Sequence, residues 1–159
     1  MTELSTSFYS SPQAMSSNDD TCTTPKDYFN KVNAEFDFGL DAAALGSSAL
    51  CSNWYGPDHP DPIKRNALAV DYWVHDSGGK PVWMNPPYGR DIKLFMAKAN
   101  AEANNGATVV CLVPARTDTA WFQDYALPHE VRYIRGRLKF GDSKNSAPFP
   151  SALVIIRGR

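Results

Sequence analysis

The 159-residue sequence predicts an α/β fold built on a largely parallel sheet. Thr108 to Val113 (TVVCLV) is an unbroken apolar, β-branched run, the pattern of a strand covered on both faces. Asp91 to about Asn104 has helical spacing, with Ile92, Phe95, Met96 and Ala99 on one side, and separates that run from the apolar stretch before Asn85. Strands alternating with helices through the middle of the chain imply crossover connections, and therefore parallel neighbours.

The elements follow in order. Residues 1 to about 22 are rich in Ser and Thr and lack periodic hydrophobicity, so they read as a disordered tail, and residues 23–159 as one compact domain. Thr24-Pro25-Lys26-Asp27 is a helix start, with Thr as N-cap and Pro at the first helical position. Tyr28, Phe29, Val32 and Phe36 continue it at helical spacing. Phe36 to Asp41 alternates and predicts a short strand ending at the acid, followed by small residues, Ala42, Ala43, Ala44 and Gly46, over which a ligand can approach the backbone closely. Residues 52 to 62 are loop. Asn66 to Trp73 holds another short apolar segment with Asp71 near its end, and Ser77 to Lys80 is a turn. Thr119 to Ala126 reads as a short helix, Val131 to Ile134 as a strand, and Ala152 to Ile156 as the last strand. Ligands in such sheets gather at the carboxyl ends of strands. Asp41, Asp71, Asn85 and Pro114 all read as occupying that kind of position.

Composition narrows the function classes. Net charge is −1, but residues 1–80 hold 5 Lys/Arg against 11 Asp/Glu and residues 81–159 hold 11 against 6, which can set a positive face opposite an acidic one. No apolar run reaches the length of a membrane span, and the N-terminus lacks the regions of a signal peptide, so an intracellular, cytoplasmic protein without membrane contact is expected. Cys22, Cys51 and Cys111 are widely spaced and odd in number, which argues for reduced packing residues and against a disulfide framework or a zinc site. No metal is expected.

The stretch Asn85-Pro86-Pro87-Tyr88 carries the chemistry. Pro86 and Pro87 have no backbone N–H and nearly fixed φ, so the carbonyls around them are held rigidly as acceptors. The Asn85 amide adds an acceptor oxygen, and Tyr88 a flat face for a base. Two acceptors beside a stacking platform suit a planar –NH2 donor. The same four residues also suit a strand-ending turn; their position after a predicted strand favours the site. Arg116, Arg132, Arg135, Arg137 and Lys139 are candidates for phosphate contacts, against the plainer reading of a solvated basic edge.

With these residues placed, the chain resembles the amino-group methyltransferases whose signature is Asp/Asn-Pro-Pro-Tyr/Phe, and more closely the small phage-type DNA N-6-adenine-methyltransferase family. The resemblance runs through Thr24-Pro25, Phe38-x-Leu40-Asp41-x-Ala43, Asn85-Pro86-Pro87-Tyr88, Leu112-Val113-Pro114-Ala115-Arg116-Thr117, Gly136-Arg137-Leu138-x-Phe140 and Ala147-Pro148-Phe149-Pro150-Ser151, in that order. It implies a Rossmann-like class I methyltransferase core of seven strands with a reversed carboxyl-terminal hairpin, and S-adenosylmethionine as cofactor. It places Thr24, Pro25, Asp41, Ala43 and Asn85 along that cofactor, with Asp71 toward its adenosine amino group. Asn85, Pro86, Pro87 and Tyr88 become the catalytic residues, receiving an adenine flipped out of double-stranded DNA, and Arg116, Arg135, Arg137 and Lys139 the nucleic-acid contacts. A bacteriophage protein in a bacterial host's cytoplasm, related to restriction-modification enzymes, is the setting it suggests. Asp58 is a candidate ribose-binding acid, against the plainer reading of a solvated loop residue. The chain departs from the wider pattern where Asp41-Ala42-Ala43-Ala44-Leu45-Gly46 replaces a glycine-rich turn.

The motif alone leaves cytosine N4, RNA adenine or a protein glutamine open as acceptors, as well as a non-catalytic binding subunit. The short chain leaves little room for a separate target-recognition domain, so an oligomer or a partner chain also stays open.

Overall fold

The computed structural model describes residues 23–141 and 145–159. The expected tail, residues 1–22, lies outside them. Helix α1 (Lys26–Phe36) is followed by strand β1 (Leu40–Asp41), two 3₁₀ turns (Pro62–Arg65 and Ala67–Ala69) and a one-turn helix α2 (Trp73–Asp76). Then come β2 (Val82–Met84), α3 (Ile92–Asn104), β3 (Val109–Pro114), α4 (Ala120–Tyr125), β4 (Glu130–Tyr133) and β5 (Ser151–Ile156). Among the described residues the sheet has five strands, not seven, in the order β1-β2-β3-β5-β4. Strands β1, β2 and β3 are parallel, while β5 runs antiparallel between β3 and β4. An isolated parallel bridge, Asp41 to Trp54, extends the β1 edge by one residue.

Side-chain alternation sorts the core into two clusters, one on each face. Val82, Met84, Val109, Cys111, Val113, Ala152, Val154 and Ile156 point toward α3, whose Ile92, Phe95, Met96 and Ala99 cover them. Trp83, Val110, Leu112, Leu153 and Ile155 point the other way, under Phe29, Val32 and Phe36 of α1 and under Phe38 and Phe140. Strands β2, β3 and β5 are buried along their whole length, which is why their sequences read as continuous apolar runs.

Three local expectations change. Pro25, not Thr24, stands at the cap position of α1, and no side chain caps it. The predicted strand from Phe36 shrinks to Leu40–Asp41 because the chain must first turn: Asp37 adopts φ 55° at the helix end, and the Asn33 Oδ1 accepts the Phe38 amide at 2.8 Å. The apolar segment before Asp71 forms no strand. Asp61 and Asn66 side chains accept from Ile63 and Leu68 amides and close the two 3₁₀ turns instead.

Candidate active site

Strand β2 lies between β1 and β3 and delivers Asn85 to the carboxyl end of the sheet. There the Asn85 Nδ2 donates to the Thr24 Oγ1 at 2.9 Å, across 61 positions of sequence. Thr24 is 5% exposed, so this bond fixes the amide of a half-buried Asn85 from within the protein. The hydroxyl expected to cap α1 serves the candidate site instead. Pro86 is buried and Pro87 half-buried, and neither is in a cis bond.

Tyr88 is held from two directions. Its hydroxyl donates to the Leu112 carbonyl on β3 at 3.3 Å, and its ring meets Phe140 and Phe149 edge-on, with centroids at 6.0 and 5.6 Å. The Arg116 guanidinium stands 5.7 Å from the centre of the Phe149 ring. Phe140 and Phe149, quoted above only within motifs, therefore join the site. They sit in irregular chain with no hydrophobic period, so only their place in the motifs marked them. Arg137 donates to the Ala147 carbonyl at 3.3 Å, and Arg135 and Lys139 are exposed on the same β4–β5 connection. Arg132 is drawn away: it pairs with both oxygens of Glu35 at 2.7 and 2.8 Å and with Glu130 at 2.7 Å. Exposed Arg90, one residue past Gly89, was not singled out by sequence.

The loop after β1 is shaped by Asp41. Its two carboxylate oxygens accept from the Ala43 amide at 3.3 Å and the Leu50 amide at 3.1 Å, so one buried side chain braces both ends of the loop. Burial pushes the Asp41 carboxyl up to about 7, against the pull of those two amides. No residue from Ala42 to Ala49 has positive φ, so alanine in place of glycine costs the loop no backbone strain. Asp58 reaches the same loop, accepting from the Gly46 amide at 3.0 Å.

Asp71 is not part of this constellation. It follows no strand, and its carboxylate binds Lys98 at 3.0 Å, halfway along α3, with its side chain 75% exposed. Lys98 in turn binds the buried Glu102 at 3.0 Å, and Glu102 accepts the Trp73 amide at 2.6 Å. A polar cleft of about 490 Å³ opens at the opposite, amino end of the sheet, lined by Asn33, Asn53, His75 and Lys80 among others. None of the predicted site residues lines it. Burial pushes the Cys51 thiol up to about 12 and the Cys111 thiol up as well, so both are held as unreactive thiols.

Two phage proteins are similar to this chain. Over 106 residues, 66% of the chain, it is 29% identical to the DNA N-6-adenine-methyltransferase of Escherichia phage T1, spanning 40% of that protein's length. Over 150 residues it is 26% identical to the DNA N-6-adenine-methyltransferase of Haemophilus phage HP1, covering 88% of this chain and 80% of the relative. A family model described as DNA N-6-adenine-methyltransferase (Dam) matches residues 11–157. The chain belongs to the DNA N-6-adenine-methyltransferase (Dam) family.

Proposed function

We propose that the protein methylates the N6 amino group of adenine in double-stranded DNA, using S-adenosylmethionine, within a Rossmann-like class I methyltransferase domain. The observation that carries this reading is the Thr24–Asn85 hydrogen bond. It commits the Nδ2 end of the amide to Thr24, which supports a role for the Oδ1 end as acceptor for an amino group. The strand order, with an antiparallel β5 between β3 and β4, supports the methyltransferase architecture.

The residues present fit the cofactor. The loop from Ala42 to Ala49 is braced by Asp41 without backbone strain, Thr24 is bonded to Asn85, and Asp58 offers an acid for ribose hydroxyls beside Gly46. When bound, S-adenosylmethionine supplies an electrophilic sulfonium methyl. The chain's own groups supply the rest. An exocyclic amine on a purine is a weak nucleophile because its lone pair is delocalised into the ring. Accepting its two N–H groups at the Asn85 Oδ1 and the Pro86 carbonyl favours a pyramidal nitrogen whose lone pair is localised for in-line attack. The same two dipoles meet the positive charge that develops on nitrogen, so positioning and electrostatics carry the rate. The surplus proton on the methylated nitrogen is acidic enough to leave to water. Because the target atom is out of reach in a duplex, the base is flipped onto the Tyr88 face, beside Phe149, while Arg116, Arg135, Arg137 and Lys139 hold phosphates.

Incubation with labelled S-adenosylmethionine and unmodified duplex DNA, followed by digestion to nucleosides, tests the proposal. Label in N6-methyldeoxyadenosine is the expected result. Label only in cytosine, in RNA or in protein overturns the choice of acceptor, and no label in any of them overturns the enzyme reading. Label that persists in Asn85→Ala refutes the site.

A further inference from the structure

The hydroxyl of Ser151 is buried, in a residue 1% exposed, and has no hydrogen-bond partner among the described residues. Buried hydroxyls in native proteins are almost always bonded, and leaving one bare costs about 1–3 kcal/mol. A structural serine would find a neighbouring carbonyl. This one has not.

Its position explains what it can serve. Ser151 opens β5 opposite Pro114, at the carboxyl end of β3, and its carbonyl accepts the Ile134 amide, so the backbone is held in the ladder. Side chains of β5 alternate: Ala152, Val154 and Ile156 face α3, whereas Leu153 and Ile155 face α1. Ser151 shares the parity of Leu153, so its hydroxyl lies on the α1 face. Asn85 shares the parity of Trp83 and lies on that same face. One step beyond the Met84–Cys111 pair, Asn85 stands beside Leu112. Ser151 is thus one further strand across and two residues further along, about 10 Å sideways and about 7 Å up the sheet. The interval is bracketed by Tyr88, bonded to Leu112 on the intervening strand, and by Phe149, two residues before Ser151.

We infer that Ser151 binds the target base, donating its hydroxyl proton to the ring nitrogen N3 of adenine while Asn85 accepts from N6. The inference rests on the reading of Asn85 as the amino-group acceptor. N3 lies across the ring from the carbon that bears the amino group and can only accept, so the partner must be a donor. Adenine N6 and N3 lie about 4 Å apart, so a hydrogen bond of about 2.9 Å at each end covers about 10 Å of the roughly 12 Å diagonal, and the reach of the two side chains, which lean along their strands, covers the rest. The hydroxyl left bare inside the protein is then satisfied by substrate.

The test is a two-by-two comparison: the full-length protein and Ser151→Ala, each with duplexes carrying adenine or 3-deazaadenine at the target. The unsubstituted protein is expected to lose about tenfold in kcat/KM on the 3-deaza duplex, the worth of one hydrogen bond. Ser151→Ala is expected to lose about tenfold on adenine, to be indifferent to the deaza change, and to melt no lower than the parent. Unchanged kcat/KM in Ser151→Ala, or an equal 3-deaza penalty in both proteins, overturns the inference. Should Ser151→Ala fail to fold, Ser151→Cys, similar in size and a weak donor, carries the same comparison. An unsubstituted protein that transfers no methyl group to adenine overturns the underlying reading of Asn85, and this inference with it.

Discussion

Two tryptophans, each fully buried, stand on opposite sides of the sheet and end differently. On the α3 side, the Trp73 indole donates to the carbonyls of Ala67 and Val70, and its backbone amide to Glu102. On the α1 side, the Trp83 Nε1 is buried with no hydrogen-bond partner among the described residues, as is the Ser151 Oγ further along that face. The buried acids repeat the contrast. Glu102 has a cation, Lys98, whereas Asp41 is met, among the described residues, by two backbone amides. Asn66, whose Nδ2 lacks a partner, is the exception beside Trp73. One face is finished as core, its polar groups answered from within the chain. The other leaves polar groups unanswered near the carboxyl ends of the strands, where Asn85, Thr24 and Tyr88 gather. Substitutions should therefore separate: stability on the α3 side, chemistry on the α1 side.

The sharpest separation pairs Asn85 with Glu102. On the proposed mechanism Asn85→Ala removes an acceptor for the developing charge, so kcat/KM should fall by about 10²-fold or more, about 3 kcal/mol of transition-state stabilisation. Its melting temperature should move by only a few degrees, as read by calorimetry. Glu102→Ala does the reverse. It strips the Trp73 amide of its acceptor and leaves Lys98 with exposed Asp71 alone, which should cost about 3 kcal/mol in denaturant unfolding. The fraction that remains folded should keep its kcat/KM. A large activity loss in folded Glu102→Ala would break the division.

Asp41 sharpens it through pH. Burial raises its carboxyl to about 7 in the folded chain, above the ordinary unfolded value, so the folded state binds the extra proton. Its contribution to stability is then full below the unfolded value and is lost as pH rises through about 7. From about pH 5 to about pH 7 this group should remove about 2 kcal/mol, and Asp41→Asn, which cannot ionise, should show a flatter profile of unfolding free energy against pH. A parent profile no steeper than that of Asp41→Asn would remove Asp41 from the comparison.

Legibility in the sequence followed hydrophobic period rather than the face of the sheet. The core was readable because Thr108–Val113, Ala152–Ile156, the Ile92-Phe95-Met96-Ala99 stripe and the Phe29-Val32-Phe36 stripe are periodic or continuous runs, and the structure puts β3, β5, α3 and α1 there. Asn85 at a strand end was readable for the same reason. Asp71 was misplaced because Asn66–Val70 is as apolar as a strand, while side-chain caps at Asp61 and Asn66 decide for 3₁₀ turns. Glu102 was invisible, since nothing in a helical pattern marks a charge that will be buried against Lys98. Phe140, Phe149 and Ser151 lie in or next to irregular chain, where period says nothing and only tertiary contact reveals a role.

Thr24 is the residue where local rule and tertiary use conflict, and it yields the smallest and most discriminating effect. A Thr before Pro reads as a helix cap, yet its hydroxyl accepts from Asn85, and α1 begins without a side-chain cap. Thr24→Val keeps the volume of this buried side chain and removes only the acceptor. If the hydroxyl orients the Asn85 amide, kcat/KM should fall about tenfold, chiefly in kcat, because the acceptor end of the amide is no longer fixed toward the reacting amine. Stability should drop by about 1 kcal/mol or less, and Thr24→Ser should restore most of the rate. A cap would give the opposite pattern: unfolding free energy lost, rate in the folded protein unchanged, and rescue by Thr24→Asp as complete as by Thr24→Ser. Asp at this position would also set a carboxylate against the Asn85 Nδ2 and hold the amide as Thr does, so the split between rate and stability in Thr24→Val decides between the two roles.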